Sequence, residues 1–321
     1  MTIVRYALLA IAAVMASAAA VAQSNYPNRA IKIVVPLPPG AAADTLPRII
    51  GDKLTARFGQ PVVIENKPGA AQNLGAEFVA RSEPDGYTLL AGPPGPLAFS
   101  GALFPQLGFD PAAFVPVTVM ATVPYVMVVH PKVPANNLRE LVAYAKANPD
   151  KLNFGSPGSG SAPQLVVEWF KTVAGVKMTH VPYRGAGPAM IDLIAGHIDL
   201  MVDNLGNALQ PVRDGKLRAL GVADAKSIPE LPNVPPIASL YPGFVASTWF
   251  AIVAPPKTPP AIADKLSVAI NDILRMPDVA QRFRDLGANP AGGTPAETGA
   301  FIKAETARWT EVIKDANIKP E

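Results

Sequence analysis

Short runs of β-branched and aromatic residues recur along the chain at 31–36, 61–65, 87–91, 115–129, 152–156, 178–183, 198–202, 217–223 and 248–254. Between them, apolar residues fall at helical spacing. In 46–58, for example, Leu46, Ile49, Ile50, Leu54 and Phe58 share one face. Asn137-x-x-Glu140 reads as a capped helix start, and so does Thr294-Pro295-Ala296-Glu297, with proline at the first helical position. Strands that alternate with helices in this way predict an α/β fold, with parallel sheets built by right-handed crossovers.

Two long uncharged stretches constrain how that fold is divided. One covers 86–131, interrupted only by Asp110, and the other covers 231–256. Each holds at least six prolines, so neither can maintain the unbroken hydrogen bonding that a membrane-spanning helix requires. They read instead as buried strands and connections that cross between two bodies. On that reading residues 23–124 and 250–321 form one lobe, 125–249 form the other, and a cleft lies between them. The expected fold class is therefore two α/β lobes joined by two crossings, with small ligands bound in the cleft. Trp249 falls at the second crossing, while Trp169 and Trp309 fall in helical patterns on either side of it.

The N-terminus carries one charge, Arg5, then an apolar run over 6–15 and small residues ending Ala20-Val21-Ala22. That is the pattern of a cleaved secretory signal peptide over 1–22, too short in its apolar run to be a spanning helix. About 300 residues remain, enough for two domains with real cores. The sequence has no cysteine, which excludes disulfides, thiolate metal sites and a thiol nucleophile. An exported chain without disulfides suits a bacterial periplasm. Of 28 basic and 25 acidic side chains, cleavage removes Arg5 alone, leaving 27 − 25 = +2. No basic stripe appears, so nucleic acid is not an expected partner.

The loops at the carboxyl ends of the first-lobe and second-lobe strands carry the chemistry. In "VVPLPPGAAADTLPR", over 34–48, Gly40, Ala41, Ala42 and Ala43 offer backbone N–H groups near a helix start, with Asp44 as the expected N-cap. In "NFGSPGSGSAPQL", over 153–165, Ser156, Ser159, Gly160 and Ser161 offer amides and hydroxyls before a second helix. Helix N-termini favour anions, by about 0.3–1 kcal/mol each and up to about 2 when partly buried. Two such ends facing one cleft suit a carboxylate without an arginine clamp. Weaker candidates are Ala70 and Gln72 in the loop 65–76, Pro93 in the loop 91–99, Arg184 as a possible anion contact, and Asp203 at the end of "IDLMVD".

Catalytic and phosphate-binding readings fail on the residues. Gly155-x-x-x-x-Gly160 is followed by Ser161 and Ala162 rather than by lysine, and no serine there sits in G-x-S-x-G. His130, His180 and His197 are not spaced for a zinc helix and read as structural or surface residues. No metal and no cofactor is expected. A hydrolase or isomerase on the same scaffold would need an acid–base pair near the cleft, for which only Asp44, Asp203 and Arg184 offer themselves, none with a matched histidine. A ligand sensor for a signalling partner is the third reading.

The segments "ENKPGA", "PDGYTLL", "VPYRGAGPAMIDLIAGHIDLMVDN", "GKLRALGV" and "LPNVPPI" resemble the Bug-type periplasmic receptors of tripartite tricarboxylate transporters, in the family's order from about Tyr26 onward. The resemblance implies a type II periplasmic-binding-protein fold, a monomer that captures a small carboxylate, closes and delivers it to membrane transporter subunits. It also implies that loops 37–44 and 156–161 bind carboxylate, partly through water. The sequence departs from that family at Leu37, Ala41 and Ala43 in the first loop, at Pro93 and Pro94 after the third strand, and at Pro163 and Gln164 in the second-lobe loop. These changes remove hydroxyls and donors and point toward a less polar carboxylate, aromatic or branched.

Overall fold

The computed structural model describes residues 26–40 and 42–318, so the export segment 1–22 and Ala41 of the first loop lie outside the described residues. Three strands, β1 (Ile31–Val35), β2 (Val62–Asn66) and β3 (Thr88–Gly92), run parallel, joined through α1 (Ala42–Phe58) and α2 (Asn73–Ala80). A second parallel set consists of β5 (Asn153–Ser156), β6 (Thr179–Pro182) and β7 (Leu200–Asn204). It is connected by α5 (Ala162–Ala174) and α6 (Ala186–Ala195) and followed by α7 (Leu205–Arg213). The remaining helices are the turn α3 (Ser100–Leu103), α4 (Leu138–Ala147), α8 (Pro260–Leu274), α9 (Pro277–Asp285) and α10 (Pro295–Asp315).

Two strands tie the parallel sets together. β4 (Val115–Val129) pairs over its first part with β9 (Ser247–Ala254) and β10 (Asn289–Gly292). Over its second part it pairs with β7 and with β8 (Arg218–Val222). The strand order is β2-β1-β3-β9-β4-β7-β5-β6, with β8 and β10 also on β4. The expectation of purely parallel sheets is therefore corrected: every pairing of β4 and β9 is antiparallel. The reason is that both strands connect the two bodies rather than closing a βαβ unit within one of them.

β4 stays one strand for 15 residues because nearly all of it is apolar and buried, as a strand covered on both faces must be. Its prolines sit where the ladder already changes. Pro116 adjoins a register shift, and Pro124 opposite Ser247 is followed by Tyr125 opposite Asn204, where pairing passes from one sheet to the other. β10 was not legible in the sequence. Asn-Pro-Ala-Gly has no strand-forming residue, and it pairs only because β4 presents an open edge there.

The helix starts read from sequence form as expected at two sites. Asn137 Oδ1 accepts the Glu140 amide at 3.0 Å, and Thr294 and Glu297 form a reciprocal capping box on α10. Asp44 does not cap α1 as predicted. The helix begins two residues earlier, at Ala42, and Asp44 in its first turn reaches back to accept the Gly40 amide at 3.1 Å.

Apolar burial forms one cluster within the first set (Ile31, Ile33, Leu46, Ile50, Phe250, Ile270), one within the second (Val128, Leu193, Met201, Leu205, Val222), and a larger one spanning both. The spanning cluster centres on three indoles. Trp249 of β9 and Trp309 of α10 both donate to Glu305 Oε2 at 3.0 Å, and Arg308 pairs with the same carboxylate. Arg308 also donates to Val245 O at 2.6 Å and lies over the rings of Trp169 and Trp309. Trp169 of α5 meets Trp309 edge to face at 5.8 Å. Trp169 and Trp309 are thus in contact with each other.

Glu305 is 5% exposed and is the shared acceptor of two buried indoles and a guanidinium. Glu305→Ala strands all three donors, so it should lower stability by about 3 kcal/mol in urea denaturation. A loss below about 1 kcal/mol would mean that the cluster is held by ring packing alone.

Candidate functional site

Helix N-termini from both parallel sets converge on one cavity of about 510 Å³. Ala42 and Ala43 of α1, Ala162 and Pro163 of α5, Ala186 of α6, and Gly206 and Asn207 of α7 all line it. The first-turn amides of a helix have no preceding helical carbonyl to bond, and they carry the positive end of its dipole. Among the described residues, no lysine, arginine or histidine lines the cavity. Its floor is made where the crossing strands meet, by Val123 and Tyr125 of β4 and Thr248 and Phe250 of β9. Phe99, Leu103, Phe104 and Leu286 give it apolar walls.

The first loop is shaped by a network that faces away from the cavity. Asp44 is buried and accepts from the Gly40 amide, from Asn66 Nδ2 at 2.9 Å and from Arg48 Nη2 at 2.8 Å. Asn66 Nδ2 also holds Leu37 O at 2.9 Å. The Arg48 guanidinium hydrogen-bonded to Asp44 holds that carboxyl below the usual carboxylate range. Gly40 has φ of +103°, a conformation that glycine reaches without strain. Leu37 and Ala42 consequently line the cavity, whereas Gly40 and Asp44 build the loop without reaching the cavity.

The second loop is held by His180. Gln164 Nε2 lies 3.2 Å from His180 Nδ1, and His180 Nε2 lies 2.6 Å from Ser156 Oγ. Ser156 Oγ in turn sits 3.1 Å from Gly158 O, while Gln164 Oε1 accepts the Gly160 amide at 2.7 Å. One assignment satisfies the whole chain: Gln164 donates to Nδ1, Nε2–H donates to Ser156, and Ser156 donates to Gly158 O. His180 is therefore structural, as the sequence suggested, and its structural role is to shape the binding loop. Ser156 is buried behind that loop, and Ser159, Gly160 and Ser161 are presented to the cavity. Gly160, at φ +78°, brings the loop close to the opposite lobe, where a Cβ at its position would lie 3.3 Å from Leu103 Cδ1.

The third wall is strained. Ala70, Ala71 and Gln72 take φ of 48°, 51° and 77°, a left-handed run that costs non-glycine residues roughly 1–3 kcal/mol each. The run turns Gln72 into the cavity, beside Pro93, Pro94 and Gly95; Ala70 itself stays outside on the exposed side. Three buried side-chain atoms on the cavity wall have no hydrogen-bond partner: Gln72 Oε1, Ser161 Oγ and Asn204 Oδ1. Buried polar atoms are seldom left unpaired, and these three sit where a ligand or water in the cavity can bond them.

Asp203, 1% exposed, lines the cavity at the end of β7. Its Oδ1 accepts from the Asn204 amide at 2.7 Å, and Asn207 Nδ2 reaches both oxygens at 3.2 Å. Burial pushes this carboxyl up to about 6, against the pull of those three hydrogen bonds. Tyr125, buried beside it, has its phenol pushed above the ordinary range by burial and receives a hydrogen bond from Thr248. Arg184 is exposed and does not line the cavity. Sequence reasoning thus named Leu37, Ala42, Gln72, Pro93, Ser159, Gly160, Ser161 and Asp203 among the residues that meet here. It missed Asn204, which follows Asp203 directly, and Asn207 one helical turn further on. It also missed Tyr125 and Thr248, whose polar groups sit in two largely apolar strands.

Since the folded Asp203 titrates near 6 and an unfolded aspartate near about 3.9, its stabilising effect is full below that lower value and is withdrawn as pH rises through 6. Asp203→Asn cannot ionise. Between pH 4 and 8 the stability difference should therefore move in the variant's favour by up to about 3 kcal/mol. Urea titrations of both proteins at the two pH values measure it, and a difference independent of pH would show that Asp203 titrates normally.

Residues 46–318 match the tripartite tricarboxylate transporter family receptor, TctC. Protein BugT of Bordetella pertussis is 37% identical, with 94% of each chain aligned. Among solved structures, Rpa4515 of R. palustris with adipate superposes with a TM-score of 0.80 at 36% identity, covering 92% of this chain and 100% of that one. MatC of Rhodopseudomonas palustris with bound malate gives 0.75 at 33% identity, covering 90% and 100%. No helix among the described residues is long and apolar enough to cross a membrane. Fold, cavity and sequence agree, and the chain belongs to the periplasmic solute-binding receptors of the tripartite tricarboxylate transporter family, which are two-lobed binding proteins and not enzymes.

Proposed function

We propose that this chain captures a small carboxylate with an apolar body and delivers it to the membrane subunits of a tripartite tricarboxylate transporter. The observation that carries the reading is the cavity itself. It is ringed by helix N-termini, has no cationic side chain on its wall, and holds three unpaired buried polar atoms. Adipate in Rpa4515 and malate in MatC are both small carboxylates, which supports the class. The aromatic and aliphatic walls, together with Pro93 and Pro94, favour a less polar ligand, aromatic or branched.

In this reading residues 1–22 are removed on export and the mature receptor works as a monomer. Residues 23–124 with 250–321 form the first lobe and 125–249 the second, a division supported by the change of pairing on β4 near Pro124. Leu37, Ala42, Gln72, Pro93, Ser159, Gly160, Ser161 and Asp203 form the contact set, with amides and hydroxyls meeting the carboxylate. Ligand contact with both lobes at once gives the closed form its higher affinity.

A thermal-shift screen of small carboxylates tests the reading, since a ligand at about 100 times its dissociation constant adds roughly 2.7 kcal/mol. Closure should register in the contact between Trp169 and Trp309 rather than at Trp249. Trp249 is tied to α10 through Glu305 and paired in register with Thr122. Trp169→Phe should therefore lose most of the ligand-induced fluorescence change, while Trp249→Phe keeps it. The reverse result would place the moving joint at β9.

Ser161 separates a ligand group from a structural one. Its hydroxyl is buried and unpaired, so Ser161→Ala should raise the stability of the empty receptor by about 1 kcal/mol and weaken ligand binding by roughly tenfold. Loss of both stability and affinity would mean that the hydroxyl is a loop brace.

A further inference from the structure

The cavity wall carries two kinds of polar group. The starts of α1 and α5 present amides, Ser161 and no acid. The start of α7 is already occupied by its own acid: Asp203 accepts the Asn204 amide and both oxygens are within reach of Asn207 Nδ2. Asp203 is the one charged side chain on the wall among the described residues, and no ion pair there involves it. Next to it Asn204 Oδ1 is buried without a partner. A carboxylate placed at this end would meet an acid and an unfilled acceptor, whereas an N–H or O–H group would satisfy both.

From this arrangement we infer that Asp203 determines specificity by accepting a hydrogen bond from the ligand's far end, so that the receptor selects carboxylates bearing an ammonium or hydroxyl donor away from the carboxylate. The inference rests on the carboxylate reading above and narrows it. The donors at α1 and α5 hold the carboxylate, the apolar walls hold the body, and Asp203 with Asn204 reads the other end. Burial strengthens that reading, because the unpaired Asn204 Oδ1 and the remaining lone pairs of a buried carboxylate penalise any ligand that brings them no donor. A second carboxylate would add like-charge repulsion to the same penalty.

6-Aminohexanoate and adipate test this directly, since they share chain length and one carboxylate and differ in the sign of the far group. Titration calorimetry at pH 7.5 should show 6-aminohexanoate bound at least tenfold tighter than adipate. Phenylacetate against 4-hydroxyphenylacetate repeats the comparison on a ring, with the hydroxylated acid about tenfold tighter. In Asp203→Asn the advantage of 6-aminohexanoate should fall by at least tenfold. The parent protein's selectivity decides the matter even if that variant folds poorly. Adipate bound as tightly as 6-aminohexanoate, or no binding of either donor-bearing acid, would overturn the role given to Asp203. 6-Amino-1-hexanol keeps a donor and lacks the carboxylate. If it bound as tightly as 6-aminohexanoate, the carboxylate reading would fall while the role of Asp203 stood.

Discussion

The structure depends on β4 satisfying two sheets with one continuous backbone. Its first part is paired by β9 and β10 and its second by β7 and β8, so no stretch of the strand is left without a ladder. An apolar strand covered on both faces cannot bend sharply without stranding buried amides, which limits where the two bodies can move relative to each other. The permissive point is Pro124, which has no amide to lose and sits where partners change. The second connection is held by Arg308, which bonds Val245 O just before β9 begins while its guanidinium rests on Trp169 and Trp309. The two crossings are therefore held by a backbone without an amide on one and a half-buried cation on the other.

Much of this was legible in the sequence because strand and helix periodicities are local. All of the sequence-read strands form, with their ends displaced by at most two residues. The strand missed was β10, whose Asn-Pro-Ala-Gly has no propensity of its own and exists because β4 offers it an edge. The direction of pairing was misread for a related reason. Alternation of strands and helices implies parallel neighbours within each body, but nothing local says that β4 and β9 run between bodies.

The site was legible as loops and less so as atoms. Strand ends followed by small residues and helix starts identified 37–44 and 156–161, because that grammar places backbone at a cleft whatever the ligand. Which polar atoms remain available depends on pairings across long sequence distances. Asp44 is consumed by Arg48 and Asn66, and Ser156 lies within reach of His180 and Gly158. The Gly160 amide is taken by Gln164 four residues on. These are spent in fixing the loops, and what is left for a ligand is Ser161, Gln72, Asn204 and the remaining first-turn amides. Only the three-dimensional partner list separates the two groups, since serine, glycine and aspartate read alike in both.

That separation also explains how a receptor can hold an anion without a cationic side chain. A guanidinium clamp would bind a carboxylate strongly in the open form, through one lobe alone, and would leave little to gain on closing. Helix N-termini act over about one turn and contribute about 0.3–1 kcal/mol each, so no single one secures the ligand. Their value is in being divided between the lobes. α1 belongs to one parallel set and α5 to the other, and Gly160 and Leu103 show how near the two sides already come. A ligand that must collect weak contacts from both lobes binds the closed form in preference, and release follows when any one lobe is drawn away. Weak, distributed donors therefore suit a protein whose function includes giving its ligand up.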